Sequence, residues 1–267
     1  MTQPVKVAAV GEILVEMVAK TRGQGFRETQ EIVGPFPSGA PAIFIDQVAK
    51  MGLPCTIFGA VGDDDFGRIN LDRLAADGVD VSNIALRPGL PTGIAFVRYR
   101  TDGGRDFLYT LRGSASEQTP ETATPQALEG ITHLHIMGSG LGVPRIAGFV
   151  EAAADIVKAN GGTISLDPNL RPELIEPKDQ DAVLGRLRRL AAISAFLLPS
   201  EGETAVLTEG ADDFVRIGKL LEQGMPELVT ATMTKSMRAG KVFLDWSQNN
   251  ASKTTIAPYS MRGRPEP

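Results

Sequence analysis

The sequence is most informative first in what it has little of. One cysteine among 267 residues, Cys55, excludes an internal disulfide. It lies in an apolar run and reads as a buried thiol. The only two histidines, His133 and His135, alternate with apolar residues and have no cysteine or carboxylate partners at ligand spacing. A structural role is expected for both. No apolar run reaches the ~18 residues of a membrane span, and no charged-then-apolar leader opens the chain. Positive charge is not in excess: 27 Lys and Arg against 32 Asp and Glu leave −5, which argues against wholesale nucleic-acid binding but not against a small local site. There is no phosphate-binding loop ending in Gly-Lys-Ser/Thr, and no clear Gly-x-Gly-x-x-Gly fingerprint. The expectation is a soluble cytoplasmic protein.

What the chain does have is glycine (29), proline (18) and enough apolar residues (42%) for a real core. Its length suits one large α/β domain or two smaller ones. The organising stretch is Gly59-Ala60-Val61-Gly62-Asp63-Asp64-Asp65-Phe66-Gly67. An apolar run, Cys55 to Ala60, leads in, and a helical pattern, Phe66 to Ala76, leads out. That predicts strand, glycine turn and helix. The three aspartates stand at the helix entrance, where an N-cap acceptor and negative charge are both favoured. Taken alone, the stretch reads as a capped turn.

The rest follows a β-then-α rhythm. Strands are expected at Val5 to Val10, His133 to Met137, Thr163 to Leu166 and Ala195 to Leu198. Helices are expected at Ala40 to Met51, Pro144 to Ala159, Asp179 to Ala192, Glu201 to Thr208 and Asp212 to Gln223. Such alternation implies a parallel sheet covered on both faces. The segment Gly34 to Gly39, rich in glycine and proline, reads as a turn. Two hairpin-like pieces, about 13–33 and 91–111, break the rhythm and read as a small β-sheet lid. Ligands of parallel sheets sit at the carboxyl ends of the strands. The singled-out turns all lie there: Gly11-Glu12, Gly59 to Gly67, Gly138-Ser139-Gly140, Asp167 to Arg171 and Pro199 to Glu203. One shared cleft follows.

Asp167-Pro168-Asn169-Leu170-Arg171 places an acceptor, an amide and a forked cation within five residues. Arg171 suits a phosphate or carboxylate, because its planar donors match two oxygens; an ion pair with a helix acid is the alternative. Arg112 is similar. Glu203 suits Mg²⁺ through water or a capping role.

With these residues in place, positions 5 to 228 resemble the PfkB-type, ribokinase-like carbohydrate kinases. The resemblance rests on Gly11-Glu12, Ser38-Gly39-Ala40-Pro41-Ala42, Gly59-x-x-Gly62-x-Asp64-x-x-Gly67, the lid hairpins and Asp167-Pro168-Asn169-x-Arg171. Gly34-Pro-Phe-Pro-Ser-Gly-Ala-Pro-Ala-Ile is similar to the branch holding tagatose-type and 2-keto-3-deoxygluconate kinases. The resemblance implies a three-layer α/β/α sheet with a β lid. It implies ATP- and Mg²⁺-dependent phosphoryl transfer to a primary hydroxyl of a ketose or keto sugar acid. By position, Glu12, Gly39 and Ala40 would line the sugar pocket, and Tyr99, Tyr109 and Arg112 would close from the lid. Asp167, Asn169 and Arg171 would face sugar and phosphate, with Arg171 a phosphate stabiliser. Glu203 would serve a metal-organising motif, usually Asn-x-x-Glu but here Ser200-Glu-Gly-Glu203. Ile43 stands where many relatives carry a sugar-binding asparagine. Relatives are often dimers through the lid.

The family also needs a Gly-Ala-Gly-Asp turn, supplying an anion hole and the catalytic base. No such turn occurs between Met225 and Pro267, and impaired transfer is therefore expected. In its place, residues 229–267 resemble part of the primase-polymerase domain of bacterial DNA-ligase D proteins, notably Asp245-Trp-Ser-Gln-Asn and Lys253-Thr-Thr-Ile-Ala-Pro-Tyr-Ser. The resemblance makes Asp245 a metal-binding carboxylate and Lys235, Arg238 and Lys241 phosphate contacts. One carboxylate cannot build a two-metal site, so no polymerase activity is expected. The joint near Pro226–Val229 falls inside a βα unit rather than a linker, which suggests a kinase body with a replaced C-terminal part. The alternatives are a non-catalytic sugar-binding remnant and a nucleic-acid-binding module acting through the tail.

Overall fold

The computed structural model describes residues 4–120, 122–200 and 203, together with the backbone of residues 229–230 and 242–243. Two compact units divide at Leu198/Pro199.

In the first unit, six strands form a wholly parallel sheet: β1 (Val7–Val10), β4 (Cys55–Gly62), β5 (Ile84–Arg87), β8 (His133–Met137), β9 (Thr163–Asp167) and β10 (Phe196–Leu197). Their spatial order is β10-β9-β8-β1-β4-β5. Strands β1 and β4 are buried along their whole length, as expected when both faces carry helices. On one face pack α1 (Ala40–Lys50) and α2 (Asp65–Ala76), whose Ala42, Ile45 and Leu74 join Val7, Ala9, Ile57 and Val61 in one apolar cluster. On the other, Phe58 meets Phe149 of α3 (Pro144–Ala159) with ring centroids 5.2 Å apart. Helices α3 and α4 (Gln180–Ile193) both pack against β9. The layered α/β/α body matches the expectation.

A second sheet has four strands in the order β3-β2-β6-β7: β2 (Leu14–Ala19), β3 (Ile32–Ser38), β6 (Gly93–Tyr99) and β7 (Arg105–Thr110). Two antiparallel hairpins are joined by a parallel seam between β2 and β6. This is the predicted lid, with one correction: Gly34 to Ser38 is strand, not turn. Pro35 and Pro37 lack the N–H that an inner strand must donate, and β3 tolerates them because it is the sheet's edge. Strand β5 was not anticipated. It is four residues long, and pairing with Gly59–Gly62 defines it more than its own pattern does.

In the second unit, Val229–Thr230 and Val242–Phe243 form a parallel pair, β11 and β12. Apart from Glu203, the predicted helices Glu201 to Thr208 and Asp212 to Gln223, and the tail residues Lys235, Arg238, Lys241 and Asp245, lie outside the described residues.

Candidate active site

The order of strands fixes where a cleft must open. After β1 the chain builds towards β4 and β5; after β8 it builds the other way, towards β9 and β10. Loops leaving the carboxyl ends of β1 and β8 therefore diverge, and a crevice remains between them. Glu12 follows β1 and Ser139 follows β8. Across the crevice the Ser139 hydroxyl donates to Glu12 Oε1 at 2.7 Å.

Glu12 is only 6% exposed, yet its Oε2 has no hydrogen-bond partner among the described residues. Burial pushes its carboxyl above the ordinary 4.5; the Ser139 bond, its own backbone and the charge of Arg171 pull the other way. A buried orphan acceptor is costly unless something completes it. Two cavities, a first lobe of about 460 Å³ and a second of about 470 Å³, share Glu12, Phe107, Tyr109, Ser139 and Leu174 in their walls.

The walls come from three elements. Helix α1 begins without a side-chain cap, at Gly39, whose φ is 108°. A Cβ there would stand 2.4 Å from the Glu12 carbonyl, so glycine lets the helix start touch the Glu12 loop. Gly39, Ala40 and Ile43 line the first lobe, and Ile43, 56% exposed, offers it no hydrogen-bonding group. From the lid, Phe107 and Tyr109 of β7 stack with centroids 5.5 Å apart and planes 7° from parallel. The turn after β9 supplies the third wall. Asp167 Oδ1 accepts from the Asn169 N–H at 3.0 Å and holds Asn169 at φ 37°, a left-handed angle that asparagine tolerates. Asn169 Oδ1 is a second buried acceptor without a partner among the described residues. Arg171 lies over the Phe107 ring, 5.9 Å from its centroid. Burial pushes the Tyr109 phenol up, and the positive charge of Arg171 beside it pulls the other way.

The structure thus brings Glu12, Gly39, Ala40, Tyr109, Asn169 and Arg171 to one cavity, while Arg112 reaches only the second lobe. Arg112 is exposed and ion-paired to Glu176 at 2.8 Å. Asp167 acts on the turn rather than as a lining residue. Tyr99 is not brought in. It shares the face of Ala95 and Val97 but lies at the far end of β6, paired with Arg105 and 37% exposed. Glu203 Oε2 accepts from the Ser200 N–H and hydroxyl at 2.7 and 2.6 Å, the capping alternative. Among the described residues no three His, Cys, Asp or Glu side chains cluster to hold a metal ion.

Several lining residues were not singled out as site residues from sequence: Ser139, Phe107, Arg105, Glu16 and Gln47. Ser139 lay within a turn already marked, and Phe107 follows from strand alternation with Tyr109. The two histidines, expected to be structural, pack within the body. His135 stacks on Phe44 with ring centroids 3.5 Å apart, and both imidazoles meet the Ser165 hydroxyl. Asp64 caps α2 through Gly67 N at 2.7 Å, and also binds the N–H and hydroxyl of Thr92, where the lid begins.

Comparison with known proteins fits this geometry. The family profile for pfkB family carbohydrate kinase matches residues 5–233. Fructokinase of Salmonella typhimurium is 30% identical over 231 residues, 86% of this chain and 72% of that protein. The crystal structure of an E. coli protein assigned as ribokinase II, in complex with ATP and Mg²⁺, superposes with a TM-score of 0.72 at 42% identity, covering 82% of this chain and 70% of that one. The profile for the LigD primase-polymerase domain matches residues 200–267, overlapping the first match. There, 52 residues are 79% identical to the multifunctional non-homologous end joining protein LigD of Mycolicibacterium smegmatis, 20% of this chain but only 7% of that protein. The C-terminal segment is thus similar to a fragment of LigD, while the chain as a whole, over residues 5–233, belongs to the pfkB family of carbohydrate kinases.

Proposed function

We propose that this chain binds a ketose or keto sugar acid in the cleft between sheet and lid, and that its capacity for ATP-dependent transfer to a primary hydroxyl of that sugar is weak. The observation that carries the binding half is the buried pair of unpartnered acceptors, Glu12 Oε2 and Asn169 Oδ1, at one sugar-sized cavity. Sugar hydroxyls are the donors such acceptors require. The stacked Phe107 and Tyr109 rings offer an apolar platform for sugar carbons. The tagatose and 2-keto-3-deoxygluconate branch is the assignment supported by the segment Gly34 to Ile43.

ATP would supply the phosphoryl group and Mg²⁺ would offset its charge. A cage of carboxylates is lacking among the described residues, which suits Mg²⁺ carried on phosphates with few protein ligands. Arg171 is the described side chain suited to a phosphate, and Glu203 would act on the metal only through water. The weakness of transfer is argued from sequence: no Gly-Ala-Gly-Asp turn lies between Met225 and Pro267, and no other residue here is assigned as base. On this reading residues 229–267 replace, in sequence, the segment that carries that turn in the family. The exposed Ile32, Val33, Phe36 and Leu108 of the lid support pairing of two copies through it.

The test is phosphorylation of a panel of ketoses and keto sugar acids with ATP and Mg²⁺, beside a control whose tail is replaced by a Gly-Ala-Gly-Asp-containing segment. Turnover is expected only, or far more, in the control. Equal turnover in the chain as it stands would overturn the impairment. Sugar-dependent thermal stabilisation without turnover in either protein would favour the non-catalytic binding remnant.

A further inference from the structure

The charges of the cleft are arranged in a way that the family resemblance did not assign. Strand alternation puts Arg105, Phe107 and Tyr109 on one face of β7, and all three line the first lobe. The Arg105 guanidinium lies 5.6 Å from the Phe107 ring centroid, and that of Arg171 lies 5.9 Å from the same centroid. Two fixed positive charges thus stand within 6 Å of one aromatic ring. The arginines of the same hairpin that do not line the lobe are neutralised: Arg98 pairs with Asp106, and Arg100 with Asp102 and Asp106. Arg112, at the second lobe, pairs with Glu176. Arg105 and Arg171 have no carboxylate within ion-pair distance among the described residues.

Among the described residues neither Glu12 nor Glu16, the acidic groups of the same lobe, forms an ion pair with Arg105, although the charge of Arg171 acts on Glu12. Glu12 is at the sheet's crevice, and Glu16 is on β2 opposite Ala95, away from the Tyr99–Arg105 end of the hairpin. The lobe therefore has an accepting end beside which Arg171 stands, an aromatic platform, and Arg105 as its far, cationic end. A neutral ketose would use the first two and leave the third uncompensated.

We infer that Arg105 seats an anionic group of the substrate, so that the substrate is a sugar carrying a carboxylate or a phosphate ester rather than a neutral ketose. This rests on the sugar-binding reading above. Planar guanidinium donors match two oxygens of either group. The sugar hydroxyls then meet Glu12 and Asn169, its carbon face meets Phe107 and Tyr109, and its charged end meets Arg105. Arg105 is the specificity-determining residue.

Equilibrium binding by calorimetry on the full chain tests this without requiring turnover. The ligands are 2-keto-3-deoxygluconate for the carboxylate, fructose 6-phosphate for the phosphate ester and fructose as the neutral sugar. The wild type is expected to bind one anionic sugar at least about 10-fold more tightly than fructose, and which one identifies the group. Arg105→Gln, an exposed change on an edge strand, should remove about 10-fold of that affinity and its salt dependence, and narrow the gap between anionic sugar and fructose by the same factor. Arg105→Lys should restore part of it, since the charge returns without the fork. Fructose binding as well as either anionic sugar, or an Arg105→Gln variant with undiminished anionic binding, would overturn this inference and leave the sugar-binding reading standing. Failure of all three sugars to bind would overturn both.

Discussion

Glu12 keeps a carboxyl group in a place that water hardly reaches, and this gives the residue a pH signature. Its pKa is raised above 4.5 by burial, so the folded state favours the protonated form more than the unfolded chain does. The stability it contributes is complete below 4.5 and is lost as pH rises through the raised value. Glu12→Gln removes that titration while keeping an oxygen for Ser139. Urea unfolding across this range should show the wild type losing stability relative to the variant as pH rises. Parallel pH profiles would refute the assignment. The variant should also weaken sugar binding by about 10-fold, because one buried acceptor has become a donor. Glu12 was legible from sequence through its place after the first strand and the family motif. Ser139 was not, because nothing local to Gly138-Ser139-Gly140 says that its hydroxyl meets a residue 127 positions earlier. Arg105 was invisible for another reason: an exposed arginine in a hairpin is ordinary, and only the pairing of its neighbours makes it stand out.

At the scale of elements, the start of α2 shows a cap that does more than cap. Of the three aspartates expected at the helix entrance the N-cap is Asp64, and its carboxylate accepts from Gly67 N, Thr92 N and Thr92 Oγ1. Burial pushes its pKa up, but these donors outweigh the burial and hold it below the ordinary 3.8. Helix capping alone is worth about 1 kcal/mol. Asp64→Ala also strands the Thr92 N–H, and Thr92 is buried. The expected loss is therefore about 2–4 kcal/mol, read from the urea midpoint. Asp64→Asn, which keeps one oxygen, should lose less; equal losses would mean that the carboxylate's double engagement adds nothing. The helix and its cap were legible because they are local. The bond to Thr92 joins residues 28 apart and was not. Strand β3 was misread for a related reason: its prolines argue for a turn until the sheet order shows that it is an edge.

For the whole molecule, the cleft has walls of unequal origin. The sheet ends belong to a core of long, fully buried strands, whereas the lid's own apolar cluster is small, with Leu14, Ala95 and Leu111 as its buried members. The lid should be the less stable part. Amide exchange is expected to be faster across β2, β3, β6 and β7 than across β1 and β4, and to slow in the lid when sugar bridges Glu12 and Tyr109. Exchange in the lid unchanged by a bound sugar would argue that the ligand sits elsewhere. The α/β/α layering was readable from the alternation of strands and helices, because each unit is local and periodic. The closure of the cleft was less so, since it depends on which loops diverge, and strand order is not written in any single stretch.

The parallel seam between β2 and β6 also bears on how the chain is made. Its register pairs Leu14 with Gly93 and Val18 with Val97, so the first hairpin emerges from the ribosome with one flank unpaired. Helix α1, strand β4, helix α2 and strand β5 must all be synthesised before that flank meets its partner. During this interval the nascent chain displays a bare strand edge, which is a template for pairing with other chains. The two prolines of β3 withhold donors on the opposite flank. Slower elongation between Ser38 and Gly93 would lengthen the exposure of the unguarded side, and the yield of native protein should fall with it.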